Sequence, residues 1–126
     1  MSPDLISQAV KAYFQALRDM DVEAWVNTFA EDAVSNDPVG SPPMVGHDKL
    51  REFLQSVAGA FEKVGLTEDQ VFIAGNGAAV KWTGRGTSKQ GKPVHFESID
   101  VIEVNEEGKI RRVYAYWNPA EMVAQL

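Results

Sequence analysis

Apolar residues in the first half of the chain recur every three or four positions, which is the spacing of one face of an amphipathic helix. This stripe predicts a first helix over residues 3–20, with Ser2 as its N-cap. Asp21 is the expected N-cap of a shorter second helix over residues 22–29, and a third helix is predicted over residues 48–61.

After Gly65 the helical spacing gives way to strands rich in Val, Ile, Thr and aromatic residues, separated by turn-forming Gly, Asn and Pro. The predicted strands cover residues 33–37, 66–74, 78–87, 94–104 and 109–118. Helices followed by strands joined through short turns indicate an α+β fold, with a curved antiparallel sheet and helices against one face. We expect residues 1–126 to form a single domain.

Composition narrows the possible functions. The 126 residues include no cysteine, which excludes disulfides, thiolate nucleophiles and Cys-ligated zinc. The formal net charge of −6 is opposite to the basic field that nucleic-acid binding requires, so no nucleic-acid partner is expected. The N-terminus lacks the pattern of a secretory signal, and no apolar run approaches the ~20 residues that span a bilayer. We therefore expect a cytoplasmic protein without a membrane partner.

Asp100 is an unusual residue for its predicted position. Strand alternation places it on an apolar face, whose members are Val94, Phe96, Ser98, Asp100, Ile102 and Val104. Burying an ionised carboxylate alone is costly, so a buried Asp100 would stay protonated and become a hydrogen-bond donor. The alternative is a structural ion pair with one of three arginines, Arg85, Arg111 or Arg112.

Two further polar residues draw attention. Tyr13 lies on the apolar stripe of the first helix, where its hydroxyl would either satisfy a core hydrogen bond or serve a ligand. Asp37 follows a strand and precedes Pro38, a position typical of a turn, and the Asp37–Pro38 bond is a candidate for the cis form. If Tyr13, Asp37 and Asp100 share one cavity, they suggest proton transfer by a base, Asp37, and two donors.

Other motifs carry less chemistry. His47 is expected at an exposed helix start, and His95 on the mixed face of its strand is interpreted as structural. No glycine-rich stretch follows the strand–loop–helix pattern of a phosphate-binding loop, so the sequence supports neither a nucleotide site nor a metal site.

At this level of detail the chain resembles the ketosteroid isomerases of the NTF2-like, or SnoaL-like, superfamily. The stretches that carry the resemblance are residues 12–14, 29–33, 36–38, 40–46, 98–101 and 116–117. The Asp-Pro-x-Gly-x-Pro-Pro-x-x-Gly run that begins at Asp37 is fairly specific to the isomerases, whereas the Phe-Ala-Glu-Asp-Ala run at residues 29–33 is common to the superfamily.

The resemblance implies an activity and a site. Asp37 matches the general base that moves a proton from C4 to C6 of a 3-oxo-Δ5 steroid. Tyr13 and Asp100 match the oxyanion-hole donors that stabilise the dienolate, with Asp100 held neutral by its apolar surroundings. The resemblance also implies a conical barrel with three helices on the concave face of a mixed or antiparallel sheet. It implies no cofactor and a homodimer formed through the open sheet face.

A steroid substrate needs an apolar pocket. The expected substrate-binding residues are Phe14, Phe53, Trp82, Phe96 and Trp117, and Trp25 is expected to supply part of the same apolar pocket. Plain core packing accounts for some of these aromatic residues. The chain departs from some isomerases at Phe29 and Leu54, which stand where tyrosines hydrogen-bond to the oxyanion-hole tyrosine. Tyr13 would then lack that support.

Two other functions fit the same fold, because a fold does not fix chemistry. One is a non-catalytic steroid or lipid carrier, whose affinity would survive loss of Asp37. The other is a polyketide cyclase or dehydratase, which His95 would favour if its side chain reached the cavity.

Overall fold

The structure, a computed structural model, describes residues 2–126. The helices in this range are α1 (Pro3–Asp19), α2 (Val22–Val26), α3 (His47–Ala60) and α4 (Pro119–Val123). The strands are β1 (Phe29–Asn36), β2 (Met44–Val45), β3 (Phe61–Ala74), β4 (Gly77–Ser88), β5 (Pro93–Val104) and β6 (Ile110–Tyr116). None of the helices described is both long and apolar enough to cross a membrane.

The six strands form one curled, mixed sheet in the order β2-β1-β6-β5-β4-β3. All neighbouring strands run antiparallel except β1 and β6, which are parallel. The predicted α+β class with a mixed or antiparallel sheet is confirmed. The parallel pair matters for the site, because parallel neighbours end at the same edge of a sheet.

Helix α1 covers the concave face of the sheet with the stripe that the sequence pattern predicted. Its fully buried side chains include Ile6, Val10, Tyr13 and Phe14, while the polar positions between them face outward. The short helix α2 begins where its cap was expected, since the Asp21 side chain accepts a 3.1 Å hydrogen bond from the Ala24 amide. The core therefore lies between the helices and the inside of the curl.

Two element boundaries differ from the prediction. Helix α3 passes directly into β3 at Phe61, whose backbone is already extended, so β3 starts five residues before the predicted Leu66. Gly65 does not interrupt the strand but pairs with Arg85 in the ladder. Phe29 opens β1, where it pairs with Ile110, and so does not extend the second helix.

A fourth helix, α4, was not predicted. Its five residues follow Asn118, whose side chain accepts a 2.9 Å hydrogen bond from the Ala120 amide. Just beyond α4, the Gln125 side chain accepts from the His95 amide at 2.7 Å and donates to the His95 carbonyl at 2.8 Å. The Gln125 side-chain amide thus bonds to the backbone of β5 beyond the point where β6 ends. These two hydrogen bonds hold the last turn of the chain beside the cavity described below.

Candidate active site

A cavity of about 140 Å³ opens between the helices and the concave face of the sheet. Three ionisable side chains line it: Tyr13 from α1, Asp37 from the loop after β1, and Asp100 from β5. The rest of the lining is apolar or aromatic and comprises Leu17, Met20, Trp25, Phe53, Leu54, Val57, Phe61, Val64, Leu66, Trp82, Phe96, Trp117 and Met122. The structure thus brings the three predicted polar residues together.

Asp37 is positioned by the parallel pair of strands. Because β1 runs parallel to β6, Asp37 and Trp117 both lie just past the same edge of the sheet. The Trp117 Nε1–H donates a 2.6 Å hydrogen bond to Asp37 Oδ1. The following residue, Pro38, is buried, and the Asp37–Pro38 bond is cis, as expected.

The environment of Asp37 makes it a stronger base than an ordinary carboxylate. Burial, which disfavours the charged form, raises its pKa from 3.8 to about 6, although the hydrogen bond from Trp117 lowers the pKa and opposes part of this effect. A carboxylate with a pKa near 6 is still ionised at neutral pH. It then accepts a proton more readily than an exposed aspartate does.

Asp100 lies on the inner face of β5, as strand alternation predicted, and is only 2% exposed. Its Oδ1 accepts a 2.8 Å hydrogen bond from the Ser98 hydroxyl. The alternative of an ion pair with arginine is wrong: among the described residues, Arg111 lies beside Glu103, and Arg112 donates to the Tyr114 hydroxyl. Arg85, the third candidate, is exposed.

The pKa of Asp100 is raised further than that of Asp37. Burial, followed by the negative charge of Asp37, raises it from 3.8 to about 7, while donors on Ser98 and Trp82 lower it in part. Because the two carboxyls interact, they titrate as a pair, and one proton is shared between them in the neutral range. The pKa order places that proton on Asp100 and leaves Asp37 ionised.

Tyr13 is 1% exposed and is enclosed by the rings of Phe14, Trp25 and Phe29, whose centroids lie 5.0 to 5.8 Å from its own. Burial, then the charges of Asp100 and Asp37, raise the pKa of its phenol well above 10. The hydroxyl therefore stays protonated and can only act as a neutral donor or acceptor.

The positions that hold tyrosines in some isomerases offer Tyr13 no polar partner here. Both positions hold buried apolar side chains: the Phe29 ring packs against the Tyr13 ring, and Leu54 lines the cavity. The Trp25 indole is the neighbour that lowers the pKa of the Tyr13 phenol. Its Nε1–H is buried and has no hydrogen-bond partner among the described residues.

The predicted aromatic residues divide into two groups. Trp25, Phe53, Trp82, Phe96 and Trp117 line the cavity. Phe14 does not: it is fully buried behind the lining, with its ring against Tyr13 and, at 6.2 Å between centroids, Trp82. Strand periodicity and helix periodicity show which residues face inward, but they do not distinguish a cavity wall from the core layer behind it.

Phe96 reaches the cavity because its cross-strand neighbour is glycine. Gly84 is paired with Phe96 across β4 and β5. A Cβ atom on Gly84 would lie 2.4 Å from the Phe96 ring, so the ring occupies the space that a side chain at this position would fill. The ring then meets Trp82 edge-on at 5.4 Å.

Several lining residues were not predicted. Leu17 and Met20 belong to the end of the α1 stripe, which the sequence indicates as buried but not as cavity-lining. Met122 lies on α4, which is too short to show a periodic signal.

Neither histidine of the chain lines the cavity. The exposed side chain of His95 projects from the outer face of β5, and this removes the observation that would have favoured a histidine-dependent cyclase. His47 is part-buried rather than exposed, with its Nε2 2.9 Å from the Phe29 carbonyl oxygen.

Fold and site together define an α+β protein with a tyrosine and two aspartates in one largely apolar cavity. A sequence model of the SnoaL-like domain matches residues 10–113, and the chain belongs to this family. A steroid Delta-isomerase from Nocardioides simplex is 30% identical over 119 residues, which are 94% of each chain.

A solved structure of an epoxide hydrolase/cyclase-like enzyme, SalBIII, described for pyran ring formation in the polyether salinomycin, is also similar. It superposes with a TM-score of 0.82 at 27% identity, over 91% of this chain and 92% of that one. The relatives are thus enzymes with different chemistries on one fold.

Proposed function

We propose that this protein is a steroid Δ-isomerase that converts 3-oxo-Δ5 steroids into their conjugated Δ4 isomers. The observation that carries the proposal is the pair of carboxyls in one apolar cavity, one hydrogen-bonded by the Trp117 indole and the other by the Ser98 hydroxyl. Asp37, with a pKa of about 6, is the base, and Asp100, with a pKa of about 7, is the acid. Similarity to a steroid Delta-isomerase along nearly the whole chain adds support.

The proposed reaction moves one proton and needs no co-reactant. Asp37 removes a proton from C4, and the electron pair of the broken C–H bond delocalises onto the C3 oxygen as a dienolate. Tyr13 and protonated Asp100 donate hydrogen bonds to that oxygen as its charge develops. Protonated Asp37 then returns the proton to C6, and the double bond comes to rest between C4 and C5.

The apolar lining has two roles in this proposal. Aromatic side chains such as Trp82, Phe96 and Trp117 would pack against the flat ring system of the steroid. The same lining excludes water, which strengthens each hydrogen bond to the developing charge.

The outer face of the sheet is the proposed homodimer surface. Phe72, Ile99, Val101 and Tyr116 lie on this face with 66%, 48%, 36% and 54% of their surfaces exposed. Cross-strand pairing brings them together, because Phe72, Ala79 and Val101 occupy one row and Ile99 and Tyr116 the next. An apolar patch of this extent favours association with a second copy.

The direct test is the rise in ultraviolet absorbance as a Δ5-3-ketosteroid becomes its conjugated isomer. We expect conversion by the wild type and at least a 100-fold lower rate in Asp37→Asn, because the amide cannot accept the proton. Asp32→Asn is the matched control, since Asp32 is an exposed carboxylate on β1, the strand that leads into Asp37. It should retain the wild-type rate.

The outcomes separate the three candidate functions. Steroid binding without conversion, with affinity retained in Asp37→Ala, would make the protein a carrier. The cyclase alternative is favoured by the similarity to the cyclase-like structure. It would gain if no steroid bound and if the protein cyclised a hydroxy-epoxide substrate, with loss of that activity in Asp37→Asn.

A further inference from the structure

Among the described side chains, Ser98 makes the one hydrogen bond to Asp100 with good geometry. The Trp82 indole N–H also lowers the pKa of Asp100, but within residues 2–126 it is buried without a hydrogen-bond partner. The Ser98 hydroxyl lies 2.8 Å from Asp100 Oδ1, a normal length for an O–H···O bond, and Ser98 itself is 3% exposed. The two residues are separated by one position on β5, so both project from its inner face. A buried serine at this position needs a partner, and Asp100 supplies it.

The bond distinguishes the two oxygens of the carboxyl. Oδ1 accepts from Ser98 whether Asp100 is ionised or protonated, because a carbonyl oxygen and a carboxylate oxygen both accept. The proton of the neutral acid is therefore expected on Oδ2. Since Asp100 lines the cavity, an Oδ2–H is free to donate to a ligand oxygen there.

No cation near the site competes with this hydrogen bond. Asp100 is flanked by Val80 on β4 and Ala115 on β6, and Ser98 is opposite Trp82. The titratable groups that line the cavity with Asp100 are Tyr13 from α1 and Asp37 from the loop after β1. The described lining includes neither Lys nor Arg, so hydrogen bonds are what stabilise an ionised Asp100.

We propose that Ser98 is a positioning residue that holds Asp100 through Oδ1 and thereby directs the Oδ2 proton toward the ligand oxygen. The use of that proton on a dienolate rests on the proposed isomerase function, whereas the control of the carboxyl by Ser98 does not. A donor to a carboxylate also stabilises its ionised form. Ser98 therefore sets how far into the alkaline range Asp100 keeps its proton.

The first test is independent of activity: the titration of the Asp100 carboxyl carbon by NMR in the folded, 13C-Asp-labelled protein, with the signal assigned from Asp100→Asn. Ser98→Ala removes the donor and should move the Asp100 titration up by about one pH unit. Ser98→Cys keeps the size with a weaker donor and should move it in the same direction. Ser98→Thr retains the hydroxyl and should restore the wild-type titration.

Ser35→Ala is the matched control. Ser35 is a fully buried serine on β1 whose hydroxyl has no hydrogen-bond partner in the part of the chain described. Its removal should leave the Asp100 titration in place. If Ser98→Ala and Ser98→Cys also leave it in place, Ser98 does not control the carboxyl and the proposal is overturned, whether or not the wild type isomerises steroids.

The second test uses turnover. In an active wild type, Ser98→Ala should lower kcat about tenfold with little change in KM, because the misdirected donor serves the transition state more than the bound substrate. The alkaline limb of the pH profile should move upward together with the NMR titration. A lower kcat with an unmoved alkaline limb would indicate a structural role and contradict the proposal.

Discussion

Trp117 offers the sharpest test of how the cavity prepares Asp37. The indole N–H donates at 2.6 Å to the carboxyl that would act as base, and this bond lowers a pKa that burial raises. Trp117→Phe keeps an aromatic ring in the cavity wall and removes the N–H donor together with part of the indole ring. The pKa of Asp37 should then rise above its value of about 6.

The size of the effect follows from the strength of the lost bond. A hydrogen bond to a charged group contributes about 1.5–3 kcal/mol, and about 1.4 kcal/mol corresponds to one pH unit, so the pKa should rise by about one to two units. At pH 7 the ionised fraction of Asp37 would fall from about 0.9 to between about 0.5 and 0.1.

The assay is the pH dependence of kcat/KM together with the carboxyl titration of Asp37 by NMR. The acid limb, which reports the loss of the base, should move to higher pH by the same interval as the titration. Trp25→Phe is the control for this titration, because the Trp25 N–H makes no hydrogen bond with Asp37. An unmoved Asp37 titration in Trp117→Phe would refute the reasoning.

Three further predictions address stability, cavity shape and assembly. The pKa of Asp100 is about 7 in the folded protein and near 3.8 when unfolded, so the penalty for burying this carboxyl is absent below about pH 4 and grows as pH rises toward 7. Asp100→Asn should therefore raise the free energy of unfolding at pH 8 by up to about 4 kcal/mol and leave it unchanged at pH 3, as measured by denaturant titration. The same change in unfolding free energy at both pH values would contradict the burial argument. Gly84→Ala should push the Phe96 ring into the cavity and weaken steroid binding about tenfold by calorimetry, and unchanged affinity would show that the ring has room to move elsewhere. Phe72→Lys places a charge in the outer apolar patch and should convert a dimer to a monomer in sedimentation equilibrium, whereas a persisting dimer would place the interface on another surface.

Periodicity was sufficient to predict the parts of the fold that depend on one buried face. The α1 stripe and the inward position of Asp100 follow from spacings of 3.6 and 2 residues, which burial enforces. Boundaries were less predictable where one element runs directly into the next. The chain changes from α3 to β3 at Phe61 with no turn residue to mark the change.

The site was predictable in its ionisable residues but not in its hydrogen bonds. Tyr13, Asp37 and Asp100 were proposed because each is polar at a position expected to be buried or constrained. Strand alternation predicted that Ser98 and Asp100 lie on the same face of β5. It could not predict the hydrogen bond between them, because alternation does not determine side-chain rotamers. The bond from Trp117 to Asp37 depends on the parallel pairing of β1 with β6, which is a long-range contact that local patterns do not encode.

The raised pKa values of both carboxyls indicate that the cavity lowers the stability of the folded protein when these groups are ionised. Burial of Asp100 among Val80, Ala115 and aromatic rings disfavours its ionised form, and a leucine there would satisfy the same packing. An acid held neutral in this way is the kind of donor that a developing oxyanion needs. The site therefore follows the common pattern in which function and stability are in conflict at buried polar groups.

The central claim is that Asp37 carries one proton from C4 to C6 inside the cavity. The most direct measurement is the fate of deuterium placed at C4 of a Δ5-3-ketosteroid, read by mass spectrometry and NMR of the Δ4 product. We expect a measurable share of the deuterium at C6 in the wild-type product, and none from the residual reaction of Asp37→Asn. A wild-type product with only solvent hydrogen at C6, formed no faster than in buffer, would contradict the claim.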